Sequence, residues 1–150
     1  MIQITQTDSS NPDFQSLVQL LDADLAFRDG EDHAFYAQFN KSNQLKHVIV
    51  LYQDNVAIAC GAIREWAEGV MEIKRMFVQP TYRRLGFAKK VVSNLESWSE
   101  QLGHHTCVLE TGKNQPEAIQ LYQKIGYTII PNYGQYIGVE NSACMQKKFS

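Results

Sequence analysis

The chain has 150 residues, 44% of them hydrophobic, with 14 Lys and Arg against 16 Asp and Glu and a formal net charge of -2. That length and apolar content fit a single domain over residues 1–150, one that buries roughly two-thirds of its extended surface. A slightly acidic chain has no electrostatic case for wrapping nucleic acid, whose affinity rests largely on phosphate neutralisation, and no apolar run approaches the ~18 residues of a membrane helix. Cys60, Cys107 and Cys144 lie far apart in apolar runs without metal-ligand spacing, as reduced core residues of a cytosolic protein do. The N-terminus lacks the basic-then-apolar stretch of a secretory signal, so a cytoplasmic location is expected.

Ile2 to Gln6 alternates and predicts a short strand. Asp8-Ser9-Ser10-Asn11-Pro12 supplies a helix cap and a first-turn proline. Phe14, Leu17, Val18, Leu21 and Leu25 then recur at helical spacing until Asp29-Gly30. A second, short helix is expected from Glu31 to Asn40, with Ala34, Phe35 and Phe39 inward. Up to Leu45 the acids Asp8, Asp13, Asp22, Asp24, Asp29, Glu31 and Asp32 outnumber Arg28 and Lys41. Such a rim attracts a cationic substrate if these helices overhang a site, and otherwise only keeps them soluble. His47 to Gln53 and Val56 to Arg64 form a hairpin across Asp54-Asn55, and Glu68-Gly69 is the next turn.

Met71 to Val78 is an apolar strand, stopped at Gln79-Pro80 because proline lacks a donor for the ladder. The basic turn Arg83-Arg84-Leu85-Gly86-Phe87-Ala88 follows, where Gly86 permits a close backbone approach. The next helix buries Ala88, Val91, Val92, Leu95, Trp98 and Leu102 and ends near Gly103. Arg83 and Arg84 are expected where it begins, and Lys89 and Lys90 in its first turns. Cations there are unfavourable by roughly 0.3–1 kcal/mol each, a sign that a bound polyanion reverses. With Lys74 and Arg75 they make a basic run free of acids. It is either a solvated face or, given the glycine turn between strand and helix, a phosphate site built from main-chain N–H groups. The turn is neither the dinucleotide fingerprint nor a Walker loop. His104-His105 point to opposite faces of a strand, so no metal site is expected. Thr106 to Glu110 is a strand, and Ala118, Ile119, Leu121, Tyr122 and Ile125 mark a short helix that Gly126 ends. Tyr127 to Ile130 and Ala143 to Phe149 complete an α/β chain: one mixed sheet with helices, not doubly wound.

Three segments resemble the GNAT superfamily of acyl-coenzyme A dependent N-acetyltransferases. They are Glu72 to Ala88, with Arg83, Gly86 and Ala88 on the pyrophosphate signature Arg/Gln-x-x-Gly-x-Gly/Ala; Leu109-Glu110-Thr111-Gly112; and Asn114 with Leu121-Tyr122-Gln123-Lys124-Ile125-Gly126-Tyr127. The resemblance implies that superfamily's fold, a mostly antiparallel sheet whose strands Met71–Val78 and Thr106–Glu110 splay apart. It implies acetyl-CoA as acyl donor. The diphosphate would lie on the turn formed by Arg83, Arg84, Leu85, Gly86, Phe87, Ala88 and Lys89. The pantetheine arm would pair with Met76, Phe77 and Val78 as an added strand, with Asn114 and Tyr122 beside it.

The implied reaction is direct attack of a neutral amine on the acetyl carbonyl through a tetrahedral intermediate. A backbone N–H near Phe77 or Val78 would polarise the carbonyl, and Tyr122 would face the departing sulfur. Glu72 is the first candidate for a general base, Glu110 competes with it, and bulk water is the third route. Tyr133 and Tyr136 are candidates for the acceptor side. The expected acceptor is a small-molecule amine, with a peptide or protein N-terminus or lysine as rival. A non-catalytic acyl-CoA sensor is the alternative of another class. Self-association as a homodimer through an exposed sheet edge or the C-terminal strand is compatible with these elements.

Overall fold

The computed structural model describes residues 1–30, 36 and 44–149. Strand β1 (Ile2–Thr7) leads to α1 (Pro12–Asp29), whose start Asn11 fixes by accepting from the N–H groups of Asp13 and Phe14 at 2.9 and 3.0 Å. Helix α1 turns Phe14, Leu17, Val18 and Leu21 inward and ends at Gly30. The helix expected over 31–40 lies outside the described residues, apart from Tyr36, which is buried.

Strands β2 (His47–Gln53) and β3 (Val56–Ala67) make the expected hairpin, and β4 (Val70–Val78) folds back on β3. β3 outruns its apolar face: Arg64 to Ala67 are exposed, yet their backbones still pair with β4. A 3-10 turn (Pro80–Tyr82) precedes α2 (Phe87–Gln101), then β5 (Thr106–Gly112), α3 (Pro116–Lys124), β6 (Thr128–Ile130), a second 3-10 turn (Gly134–Tyr136) and β7 (Ser142–Lys148). The sheet order is β1-β2-β3-β4-β5-β7-β6. Every ladder is antiparallel except β4 with β5.

The alternation of β2 explains the layers. Val48 and Val50 point to α1, where Phe14, Leu17 and Leu21 meet them, whereas Ile49 and Leu51 point to α2 and its Val91, Val92 and Leu95. Each such side chain, fully buried, contributes roughly 1.5–3 kcal/mol. The core therefore lies on both faces of the sheet, and the three cysteines are free and buried within it.

Two irregularities of β4 prepare the site. Its ladder with β5 has three rungs, Val70 to Thr106, Met71 to Cys107 and Glu72 to Val108, after which the strands part. Parting costs β5 little, because β7 pairs with it along its whole length from Thr106↔Lys148 to Gly112↔Ser142. Against β3, Cys60 faces Phe77 and Ala62 faces Lys74, so Arg75 and Met76 both lie opposite Gly61, with Arg75 at φ 59°. This is a β-bulge, which bends the strand and re-aims its side chains. Gly61 makes room for it: a Cβ there would stand 2.4 Å from Met76 Sδ and 2.9 Å from Val91 Cγ1.

Candidate active site

Where β4 and β5 part, two chambers open and meet at Met76, Ala118 and Tyr122. The larger, of about 630 Å³, runs past Met76, Phe77 and Val78 to Arg83, Arg84, Gly86, Phe87, Ala88 and Lys89. The smaller, of about 130 Å³, is bordered by Asp29, Tyr36, Lys74, Glu110 and Tyr136 together with Leu21 and Leu25.

Local backbone geometry shapes the far end of the larger chamber. Helix α2 starts at Phe87 with Gly86 as its N-cap, at φ 86°, without a side-chain cap and without an acid in the first turn. Arg83 and Arg84 therefore precede the helix instead of beginning it. Arg83 closes the 3-10 turn, and Arg84 is left-handed at φ 65°. A Cβ on Gly86 would meet nothing within 4 Å, so within the protein it is the backbone angle that asks for glycine, and the space above stays open. The first N–H groups of any helix lack intrahelical acceptors. Here they are uncapped and border a cavity, which makes an anion seat.

The side chains of this loop are partly committed elsewhere. Arg83 Nε donates to the Val78 carbonyl at 2.8 Å, and its guanidinium lies 5.5 Å over the Phe77 ring and 3.9 Å from Asp24. It clamps the turn to the end of β4. Leu85 is 63% exposed and does not border the chamber. Asn114 likewise stays off both chambers; its Nδ2 donates to the Arg28 carbonyl at 3.2 Å, and the neighbouring Gln115 borders both cavities. Arg28 also pairs with Asp24 at 3.3 Å and with Glu117, so polar contacts tie α1 to α3 across the mouth of the larger chamber. The periodicity of the sequence held no sign of this bridge, because its partners come from remote helices.

Tyr122 stands at the junction, 6% exposed, with the Tyr127 ring edge-on at 5.7 Å. Burial alone pushes its phenol above the ordinary range, so it stays protonated and can donate.

The two candidate carboxylates differ sharply in surroundings. Glu72 is 1% exposed and accepts from Arg64 Nε at 2.9 Å and from Tyr133 Oη at 2.7 Å. It is not among the residues bordering either chamber, and Tyr133 is occupied in holding it. Glu110 does border the smaller chamber, and its Oε2 is buried with no hydrogen-bond partner among the described residues. Burial pushes the Glu110 carboxyl up to about 7, with Ser142 and the Lys74 charge opposing. Burial also lowers Lys74, against the pull of Glu72 and Glu110. Of the residues that complete the smaller chamber, Asp29 figured in the sequence only in an acidic rim and Lys74 only in a basic run, and Tyr36 carried no signal.

A stability effect follows from the raised Glu110. The folded chain holds this proton more tightly than the unfolded one, so the contribution is fully present below 4.5 and is lost as pH rises through about 7. Glu110→Gln is expected to raise the melting temperature relative to the native chain well above pH 7, with the gap closing below 4.5. Thermal unfolding at the two extremes measures it.

An uncapped helix N-terminus, a channel along a strand that has lost its neighbour, and a protonated phenol at the channel's inner end lie along one cleft. The family model for the acetyltransferase (GNAT) family matches residues 14–127, and the chain belongs to this superfamily of acetyl-CoA-dependent N-acetyltransferases. The superfamily expected from the sequence and its mixed sheet flanked by helices are thereby borne out.

A Klebsiella pneumoniae protein described as an acyl-CoA N-acyltransferase is 28% identical, with a TM-score of 0.83 over 100% of this chain and 99% of that one. IAA acetyltransferase of Azospirillum brasilense is 35% identical over 89 residues, which is 59% of this chain and 58% of the relative, little more than half its length. PaiA N-acetyltransferase of Thermoplasma acidophilum, solved with coenzyme A, shares the fold at 16% identity, with a TM-score of 0.73 over 99% of each chain.

Proposed function

We propose that the protein moves the acetyl group of acetyl-CoA to the primary amine of a small molecule. The observation that carries this is the meeting of a long, open-ended chamber with a small polar one at Met76 and Tyr122. Acetyl-CoA supplies, when bound, an acyl group activated as a thioester. The N–H groups from Arg84 to Lys89 suit its diphosphate, because the helix end is uncapped and the space over Gly86 is open. Met76 to Val78 suit its extended arm, because β4 has no strand beside it beyond Glu72 on that edge. A main-chain N–H near Phe77 or Val78 would polarise the carbonyl, as donors aimed at developing negative charge do. Tyr122 would donate to the sulfur.

The size of the acceptor chamber supports the substrate class. Its volume of about 130 Å³ is near that of a cavity of roughly 150 Å³ known to admit benzene. The amine-bearing end of a small acceptor is of a size to enter it.

Thiol release from acetyl-CoA, followed over small amines, amino sugars and short peptides beside calorimetric acetyl-CoA binding, tests the proposal. Turnover of small amines supports it. Turnover of peptides alone favours the peptide acetyltransferase, and binding with no turnover favours the sensor. Gly86→Val is expected to weaken acetyl-CoA binding roughly 5–30-fold by calorimetry, since restoring a left-handed turn costs a side-chain-bearing residue about 1–2 kcal/mol.

A further inference from the structure

We infer that Glu110 is the proton acceptor for a small primary ammonium held in the smaller chamber, and that Glu72 is not. This rests on the acetyl transfer proposed above and assigns it a base. Glu72 pairs with Val108 on the last rung between β4 and β5. Glu110 lies two residues further along β5, on the same face of the strand but past the point where β4 has moved away. Its carboxyl thus borders the gap, whereas the Glu72 oxygens are taken by Arg64 and Tyr133. Glu110 Oε2 has no partner among the described residues and so can receive a proton.

The charges around it favour a cation. Asp29 from α1 and Lys74 from β4 border the chamber with Glu110, and Arg75, also at its wall, is engaged by Asp22. With Arg75 counted against Asp22, the charged groups bordering the chamber are Asp29, Glu110 and Lys74, a set that an entering ammonium complements. Among the described residues, Glu72, Ser142 and Cys144 of β7, and Tyr136 also face Glu110. Glu72 and Asp29 disfavour its charged form and Lys74 and Ser142 favour it, while burial outweighs them and brings the carboxyl to about 7. A base poised near neutrality is matched to taking a proton at working pH.

Glu110 and Tyr122 both border the smaller chamber, so the two proton-handling groups flank one reaction point. The ammonium gives a proton to Glu110 Oε2. The freed lone pair forms the C–N bond at the thioester carbonyl, the C–S bond breaks, and the thiolate leaves under a hydrogen bond from Tyr122. The second proton on nitrogen and the Glu110 proton pass to solvent, and the thiolate takes one back, for a net release of one proton per acetyl group moved.

Two measurements test the assignment. In the native chain with ¹³C-labelled glutamate carboxyls, one signal, absent from Glu110→Gln, is expected to titrate near 7, and excess ethanolamine should lower its midpoint. A midpoint in the ordinary carboxylate range that ethanolamine does not move would overturn the inference. This arm needs no acetyl-CoA, so it stands even if donor binding fails. In the pH profile of kcat/KM for ethanolamine, Glu110→Gln is expected to lose the limb near 7, leaving only the more alkaline limb of the substrate ammonium, and to lose about 10²-fold in rate, with acetyl-CoA affinity held within about threefold. Glu72→Gln should keep the limb near 7. A limb near 7 that survives in Glu110→Gln, or vanishes in Glu72→Gln, removes Glu110 from the reaction. Failure of native acetyl-CoA binding would instead sink the acetyl transfer itself.

Discussion

Tyr122→Phe is expected to lower kcat about 10–100-fold, the worth of one hydrogen bond to a charged group, with acetyl-CoA affinity nearly unchanged. The ring packs against Tyr127 and borders both chambers, and phenylalanine preserves that packing. Only the donor is lost. Its burial raises the phenol well above its ordinary range, and a thiol titrates near ~8.5. Full proton transfer to the departing thiolate is therefore uphill, and Tyr122 acts by donating a hydrogen bond to the sulfur as charge builds there. One consequence follows: leaving groups of lower pKa should recover much of the lost rate, because they need less help from the donor. A Tyr122→Phe enzyme with native kcat would take the phenol out of the chemistry.

Gly61→Ala is expected to cost about 1–3 kcal/mol, the usual penalty for an extra methyl in a filled core. At about 2–4 °C per kcal/mol for a chain of this size, a thermal melt reads it directly. The new Cβ would lie 2.4 Å from Met76 Sδ, 2.9 Å from Val91 Cγ1 and 3.0 Å from Leu95 Cδ1. Val91 and Leu95 are fully buried and cannot retreat. Met76 is the flexible neighbour, and it borders the junction of the two chambers, so relief comes at the site's expense. Acetyl-CoA affinity should fall along with the melting temperature. An unchanged melt together with unchanged binding would mean that the bulge does not depend on glycine.

These two positions were unequally legible. Tyr122 stood out within Leu121-Tyr122-Gln123-Lys124-Ile125-Gly126-Tyr127, because the resemblance lay in a short contiguous string. Gly61 carried no signal, since an isolated glycine in an apolar strand is consistent with a bulge, a close contact or neither. Its meaning depends on Met76 across the ladder and on Val91 and Leu95 above the sheet. The helix start was displaced for a similar reason. Arg83 and Arg84 satisfy helical composition, but a left-handed Arg84 and a left-handed Gly86 delay the helix to Phe87.

By itself the amino-acid order determined what short-range physics governs. Asn11 and Pro12 start a helix, the continuous apolar run between His47 and Gln53 makes a strand buried on both faces, Pro80 ends β4, and Gly86 marks the turn before α2. Tertiary structure alone decided which carboxylate meets the cleft. That choice turns on three rungs between β4 and β5 and on β7 satisfying β5 beyond them, so that Glu72 is sealed under Arg64 and Tyr133 while Glu110 borders the gap. Pairing between strands distant in sequence leaves no periodic trace in either strand, because the same alternation fits any register that keeps the apolar residues inward.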